Sequence, residues 1–110
     1  VSRTALLSAI AATEALNDAA IPGFKKWRTG FVSANTVGGM DITENIFKEF
    51  LENPVDTNLN DVTHHDSGAV TEIVANKLGI KDYITTISTA CSSSANAMMY
   101  AARLIKNNLL

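Results

Sequence analysis

Long apolar runs are missing from this chain. The longest, Ala97 to Ala102, has six residues, and a bilayer span needs about 18 or more, so a membrane-spanning helix is excluded. Cysteine is nearly absent: Cys91 is the only one in 110 residues. No internal disulfide can form, and a single thiol fits a reducing compartment, here expected to be the cytoplasm, where its chemistry matters more than its pairing. An excess of one charge is also lacking. Nine Lys and Arg against eleven Asp and Glu leave a formal net charge of −2, without the clustered basic excess of a nucleic-acid or anionic-membrane surface. The chain has no internal repeat, no low-complexity tract, no dinucleotide fingerprint and no phosphate loop. What it does have is 46% hydrophobic and 18% charged residues, the composition of a folded globular chain. The length allows one domain at most. The first residue is Val1, and the apolar pair Leu109 and Leu110 follows directly on a helical pattern, where natural domains usually end polar and frayed. The expectation is a piece of a longer protein.

Hydrophobic spacing predicts an alternating layout. From Arg3 to Ala20, Leu6, Leu7, Ile10, Ala11 and Leu16 recur at helical intervals, with Ser2 as N-cap. Ile21-Pro22-Gly23 stops that helix. Thr29 to Ala34 reads as a strand that Gly38-Gly39 breaks. Asp41-Ile42-Thr43-Glu44 has capping-box spacing ahead of a helix with Ile46, Phe47 and Phe50 on its apolar face, ended by Pro54. The polar stretch from Val55 to His64 reads as a loop. Asp66 or Ser67 caps a third helix with Val70, Ile73, Val74 and Leu78 inward and Gly79 as its stop. Tyr83 to Thr89, rich in Thr and Ile, reads as a second strand. Ser92 to Asn107 reads as a last helix with Met98, Ala101, Ala102 and Ile105 on its buried side. The fold class is α/β. Two strands make a poor sheet by themselves, so missing strands also point to a piece of a larger fold.

The informative segment is Ile87-Ser88-Thr89-Ala90-Cys91-Ser92-Ser93-Ser94. A strand runs directly into a helix with the only cysteine at the junction, the geometry of a nucleophile elbow. The first turn of a helix carries unpaired N–H groups and the positive dipole end, which favour a thiolate and can receive an oxyanion. Ala90 and three serines leave room for an acyl group. An inert cysteine buried as a small hydrophobe is the alternative, and position alone does not separate the two. A hydrolase elbow wants glycine two residues either side of the nucleophile; Thr89 and Ser93 stand there. Zinc binding by Cys91 with His64, His65 and Asp66 has the ligand types without the spacing.

Thr89-Ala90-Cys91-Ser92-Ser93-Ser94, followed by an alanine-rich helix ending Arg103-Leu104-Ile105, resembles the active-site segment of the β-ketoacyl synthases, or 3-oxoacyl-[acyl-carrier-protein] synthases. Arg28-Thr29-Gly30 and Val37-Gly38-Gly39 resemble the family's strand and Gly-Gly turn, and the helix ending Leu78-Gly79-Ile80 lies where the family has one before the catalytic strand. The resemblance implies part of the N-terminal αβα half of a thiolase-like fold, residues 1–110 ending just after the nucleophile helix. It implies Cys91 as the catalytic nucleophile, its own N–H as one oxyanion donor, Val37 lining an acyl pocket, and Gly38 and Gly39 keeping that turn compact. The implied reaction is an acyltransfer followed by decarboxylative condensation: an acyl group moves from phosphopantetheine to the cysteine, malonyl on an acyl carrier protein loses carbon dioxide, and the carbanion attacks the acyl-cysteine. No separate cofactor and no metal is implied. The implied partners are acyl carrier protein and a second copy joined through the Tyr83-Ser88 strand. The Thr-Ala-Cys-Ser-Ser-Ser run looks like the elongating, two-histidine class of fatty acid or polyketide synthesis. Thiolases, initiating synthases and chain-length-factor-like partner subunits, which replace the cysteine, remain alternatives. The family's two histidines, its lysine and its second oxyanion donor belong to the C-terminal half. His64 and His65 precede the cysteine and are expected in a loop near the pocket rim or dimer contact.

Overall fold

A computed structural model describes residues 1–110. Six main elements follow the expected order: α1 (Arg3–Asp18), β1 (Gly30–Ala34), α2 (Met40–Glu52), α3 (Ser67–Leu78), β2 (Tyr83–Ile87) and α4 (Ser93–Lys106). Short 3₁₀ turns at Phe24–Lys26, Leu59–His65 and Ala90–Ser92 join them. β1 and β2 pair in parallel, from Gly30 opposite Tyr83 to Ala34 opposite Ile87. A parallel pair needs a crossover, and α2, the 58–66 segment and α3 supply it.

Helices cover both faces of this ribbon. Tyr83 and Thr86 are an odd number of residues apart and point to opposite faces of β2. Thr86 shares a 2.6 Å hydrogen bond with Thr71 of α3, and the Tyr83 hydroxyl lies 2.6 Å from that of Tyr100 on α4. α1 packs outside α3. The buried centre is α3, whose Val70, Thr71, Val74 and Ala75 are sealed, with Ala5 and Ala9 of α1 beside it. The radius of gyration is 16.2 Å, against about 13 Å for a compact domain of this length, so this is a thin, elongated unit. No helix is long and apolar enough to cross a membrane.

Several local expectations hold. The Ser2 hydroxyl caps α1 by accepting from Ala5 N–H, Asp66 caps α3 through Gly68 N–H, and Gly79 ends α3 in the left-handed region at φ 72°. Ile46, Val70 and Val74 are buried.

Others are corrected. The capping box at Asp41 to Glu44 does not form: α2 starts two residues earlier, with Gly39 at its N-cap and no side chain capping it. Asp41 instead accepts a 2.8 Å hydrogen bond from Arg3 N–H. Phe47 and Phe50 are exposed, as are Leu6, Leu7 and Ile10 of α1, where alanines face the core. Part of the Val55 to His64 loop is the 3₁₀ segment Leu59–His65. β2 stops at Ile87, two residues short of Thr89.

The buried side of α4 is also different. Met98, Ala102 and Ile105 are exposed and Ala101 is half-buried. Ser93, Ala97 and Leu104 face inward. Both stripes have helical spacing, so periodicity alone could not choose between them. The rotation is set by contacts at the start and the middle of α4, through Ser93 and Tyr100.

Two outcomes check this packing. Val74→Ala, at a fully sealed site, is expected to lower unfolding stability by about 2 kcal/mol in a denaturant titration, while Met98→Ala changes it by under about 0.5 kcal/mol. The hydrogen bond to Tyr83 holds the Tyr100 hydroxyl above the usual tyrosine range, with partial desolvation and the Tyr83 charge adding to it. The neutral phenol is therefore the form folding favours: its contribution is present below the unfolded value of about 10 and is lost as pH rises through the folded value. Ultraviolet titration of Tyr83→Phe should bring Tyr100 back toward the ordinary range.

Candidate active site

Parallel strands end together, so the loops leaving β1 and β2 emerge at one end of the sheet. In open α/β sheets the crevice outside the carboxyl ends of the strands is where ligands bind. Here the two loops are Asn35–Gly39 and Ser88–Ser92. Asn35 N–H donates to the Ile87 carbonyl at 3.2 Å, which extends the pairing by one bond beyond the strands.

The second loop carries the cysteine. Cys91 is exposed, in the 3₁₀ turn Ala90–Ser92 that leads into α4. The oily burial that would make it an inert hydrophobe is therefore absent. Ala90 has φ 50°, a left-handed conformation that costs a non-glycine residue roughly 1–2 kcal/mol. Hydrogen bonds hold this bend. Thr89 N–H donates to Ser93 Oγ at 2.8 Å, and Ser93 Oγ–H donates to the Ala90 carbonyl at 2.7 Å. Ser92 Oγ–H donates to the Thr89 carbonyl at 2.7 Å, and Asn96 Nδ2 to Thr89 Oγ1 at 2.8 Å.

The turn also narrows the set of free amides. Ser92 N–H bonds to the Thr89 carbonyl at 3.2 Å, and Ser93 N–H to that of Ala90. No backbone carbonyl accepts from Cys91 N–H. The turn thus engages the amides of Ser92 and Ser93 and leaves that of Cys91 without a backbone acceptor.

The first loop is a tight Gly-Gly turn. Asn35, buried at 7% exposure, accepts from Val37 N–H and Gly38 N–H, both at 3.0 Å, through Oδ1. Gly38 has φ 61°, and a Cβ there would lie 1.9 Å from the His65 carbonyl oxygen. A Cβ on Gly39 would lie 2.0 Å from that of His64. The turn fits only because neither residue has a side chain. Val37, between Asn35 and the glycines, is about half exposed at 52%.

His64 and His65 thus press their backbone against the Gly-Gly turn. His65 Nδ1 lies 2.8 Å from Thr43 Oγ1, and His64 Nε2 is 3.9 Å from Asp61. Neither is joined to Cys91, and no three His, Cys, Asp or Glu side chains come together to hold a metal.

One side-chain contact links the first loop to the start of α4: Thr36 Oγ1 and Ser93 Oγ, 3.2 Å apart. Asn35 and Thr36 carry no expectation from the sequence, and Ser93 is expected there only as a small neighbour of the thiol. The signal for Asn35 was a polar side chain directly after a strand and ahead of Gly-Gly, where it can form an Asx turn. Ser93 and Thr36 gave no local signal, since their contact spans 57 residues.

An exposed thiol on a strained, braced strand-to-helix turn, with its own N–H unclaimed by the backbone, can act as a nucleophile whose tetrahedral adduct meets a donor. A profile of the family described as Beta-ketoacyl synthase, N-terminal domain, matches residues 1–109. No curated protein matches the chain.

Gly39→Ala is expected to destabilise the protein by about 1–3 kcal/mol, because overpacking against backbone cannot be relieved by a side-chain rotation. Thermal unfolding measures it, with Gly23→Ala, whose site is open but left-handed, as the comparison for conformational strain without a clash.

Proposed function

The chain belongs to the beta-ketoacyl synthase family, and from that membership we propose that Cys91 is the acyl-accepting nucleophile of a 3-oxoacyl-[acyl-carrier-protein] synthase. The fold is accordingly thiolase-like and partial, and residues 1–110 represent the part of the N-terminal domain that ends just after the nucleophile helix. Membership carries transferase chemistry in fatty acid or polyketide synthesis. The observation that supports the nucleophile is the exposed sulfur on the braced Ala90–Ser92 turn.

The chemistry follows from the groups present. The Cys91 thiolate attacks the carbonyl of an acyl-phosphopantetheine thioester on acyl carrier protein. Cys91 N–H donates to the oxyanion as the tetrahedral adduct forms. Collapse expels the pantetheine thiolate, which takes up a proton, and leaves an acyl-cysteine. Small neighbours at Ala90 and Ser92 keep the approach open. Val37, exposed on the turn that Thr36 ties to Ser93, lines the acyl side, with Gly38 and Gly39 holding that turn close to the sheet. No cofactor beyond the substrates' phosphopantetheine takes part.

Condensation needs more than this. In the elongating, two-histidine class that the Thr89–Ser94 run resembles, decarboxylation of malonyl-carrier protein depends on histidines of the C-terminal half. Presence of Cys91 favours a catalytic subunit over a chain-length-factor-like partner, which lacks the cysteine. Cytoplasmic location agrees with the single unpaired thiol. β2 pairs only on its β1 side, so its other edge offers a template for the β2 of a second copy and a two-fold dimer.

Incubated with an acyl-pantetheine thioester, the 110-residue chain should gain the mass of one acyl group slowly, and Cys91→Ala should gain none. Equal labelling of the variant would overturn the assignment. With malonyl-carrier protein added, condensation should stay below about a thousandth of a complete synthase's rate, because groups that act as one catalytic unit are strongly non-additive.

A further inference from the structure

We propose that Ser93 is the positioning residue of the Cys91 turn, and that Thr36 couples it to the Val37–Gly39 turn; the proposal rests on Cys91 being the nucleophile. Ser93 Oγ has three hydrogen-bond partners, and unlike the exposed Ser92 the residue is buried, at 6% exposure. A serine hydroxyl has one proton and two lone pairs. The proton goes to the Ala90 carbonyl at 2.7 Å, an atom that can only accept. One lone pair receives Thr89 N–H at 2.8 Å. That leaves acceptor capacity only, so in the 3.2 Å contact with Thr36 the threonine is the donor. All three hydrogen-bonding capacities of Ser93 are therefore used.

The partners bracket the strained residue. Thr89 N–H lies just before Ala90, and the Ala90 carbonyl just after its φ of 50°. One oxygen thus grips both sides of the left-handed bend and fixes the path of the chain into Cys91. Without it, nothing in the backbone favours a positive φ at an alanine. Buried polar groups that lose a partner are costly, so the Thr89 N–H and Ala90 carbonyl would seek other partners by turning the peptide, and Cys91 N–H and Sγ would move with it. Thr36, the residue preceding Val37, brings the other loop into the same arrangement: a displacement of the acyl-side turn reaches the nucleophile through a single hydroxyl pair.

The test follows two readouts in the 110-residue chain: amide hydrogen exchange at Thr89, and the rate of Cys91 alkylation by iodoacetamide at fixed pH. In Ser93→Ala, exchange at Thr89 should rise and alkylation should slow, each about tenfold, the size expected for one lost buried hydrogen bond. Ser93→Thr should restore both. Thr36→Val should move alkylation the same way by less, and Thr36→Ser should restore it; this pair keeps the proposal falsifiable if Ser93→Ala does not fold. Wild-type-like alkylation in a folded Ser93→Ala, or failure of Ser93→Thr to rescue, overturns the positioning role while leaving Cys91 as nucleophile. Wild-type alkylation no faster than that of an unstructured cysteine peptide overturns the nucleophile reading itself, and the proposal with it.

Discussion

Five residue pairs, from Gly30 with Tyr83 to Ala34 with Ile87, hold β1 and β2 in parallel register. The rest of the arrangement depends on this alignment. Parallel strands of equal length end at the same level, so the loops that leave them must share one end of the sheet. The Asn35 bond to Ile87 extends the alignment into the first loop, and the Thr36–Ser93 contact closes it across the second. A slip of one residue would reverse the faces of every β2 side chain. It would separate Thr86 from Thr71 and Tyr83 from Tyr100, and with them both covering helices.

The two loops solve the problem of tight turning in different ways. Around Gly38 and Gly39 the chain removes side chains, because histidine carbonyls occupy the space a Cβ would need. Around Ala90 it keeps a Cβ in a left-handed conformation and holds it with hydroxyl groups from Thr89, Ser92 and Ser93. The second solution leaves a side chain at each position of the turn and places one of them, the thiol, in the open. Strain at that point is offset by bonds on either side of Ala90.

The core that supports this is small. Sealing falls mainly on α3, with alanines of α1 against it and Ala97 and Leu104 of α4 on the other face. Large apolar residues such as Leu6, Phe47, Met98 and Ile105 stay exposed, in keeping with an extended shape and with membership of a fold built from further strands and helices. The energetics are thus concentrated in the ribbon and the helices flanking it, the same elements that present Cys91.

Element order, the Ser2 and Asp66 caps, the Gly79 stop and the strand–cysteine–helix junction were all legible in the sequence, because each depends on residues within a few positions of one another. Local rules also misled. Asp41 and Glu44 have the spacing of a capping box, but the Gly-Gly turn begins α2 earlier and Arg3 takes the Asp41 carboxylate. On α4 both Met98–Ile105 and Ala97–Leu104 obey the helical period, and only docking at Ser93 and Tyr100 selects the second. Composition and spacing determined an α/β chain with its one thiol at a helix entrance. Tertiary structure alone decided which faces are buried, which amide stays free beside the sulfur, and that Thr36 and Ser93 meet: these are contacts between residues far apart in sequence, and no local pattern encodes a distance that only chain closure creates.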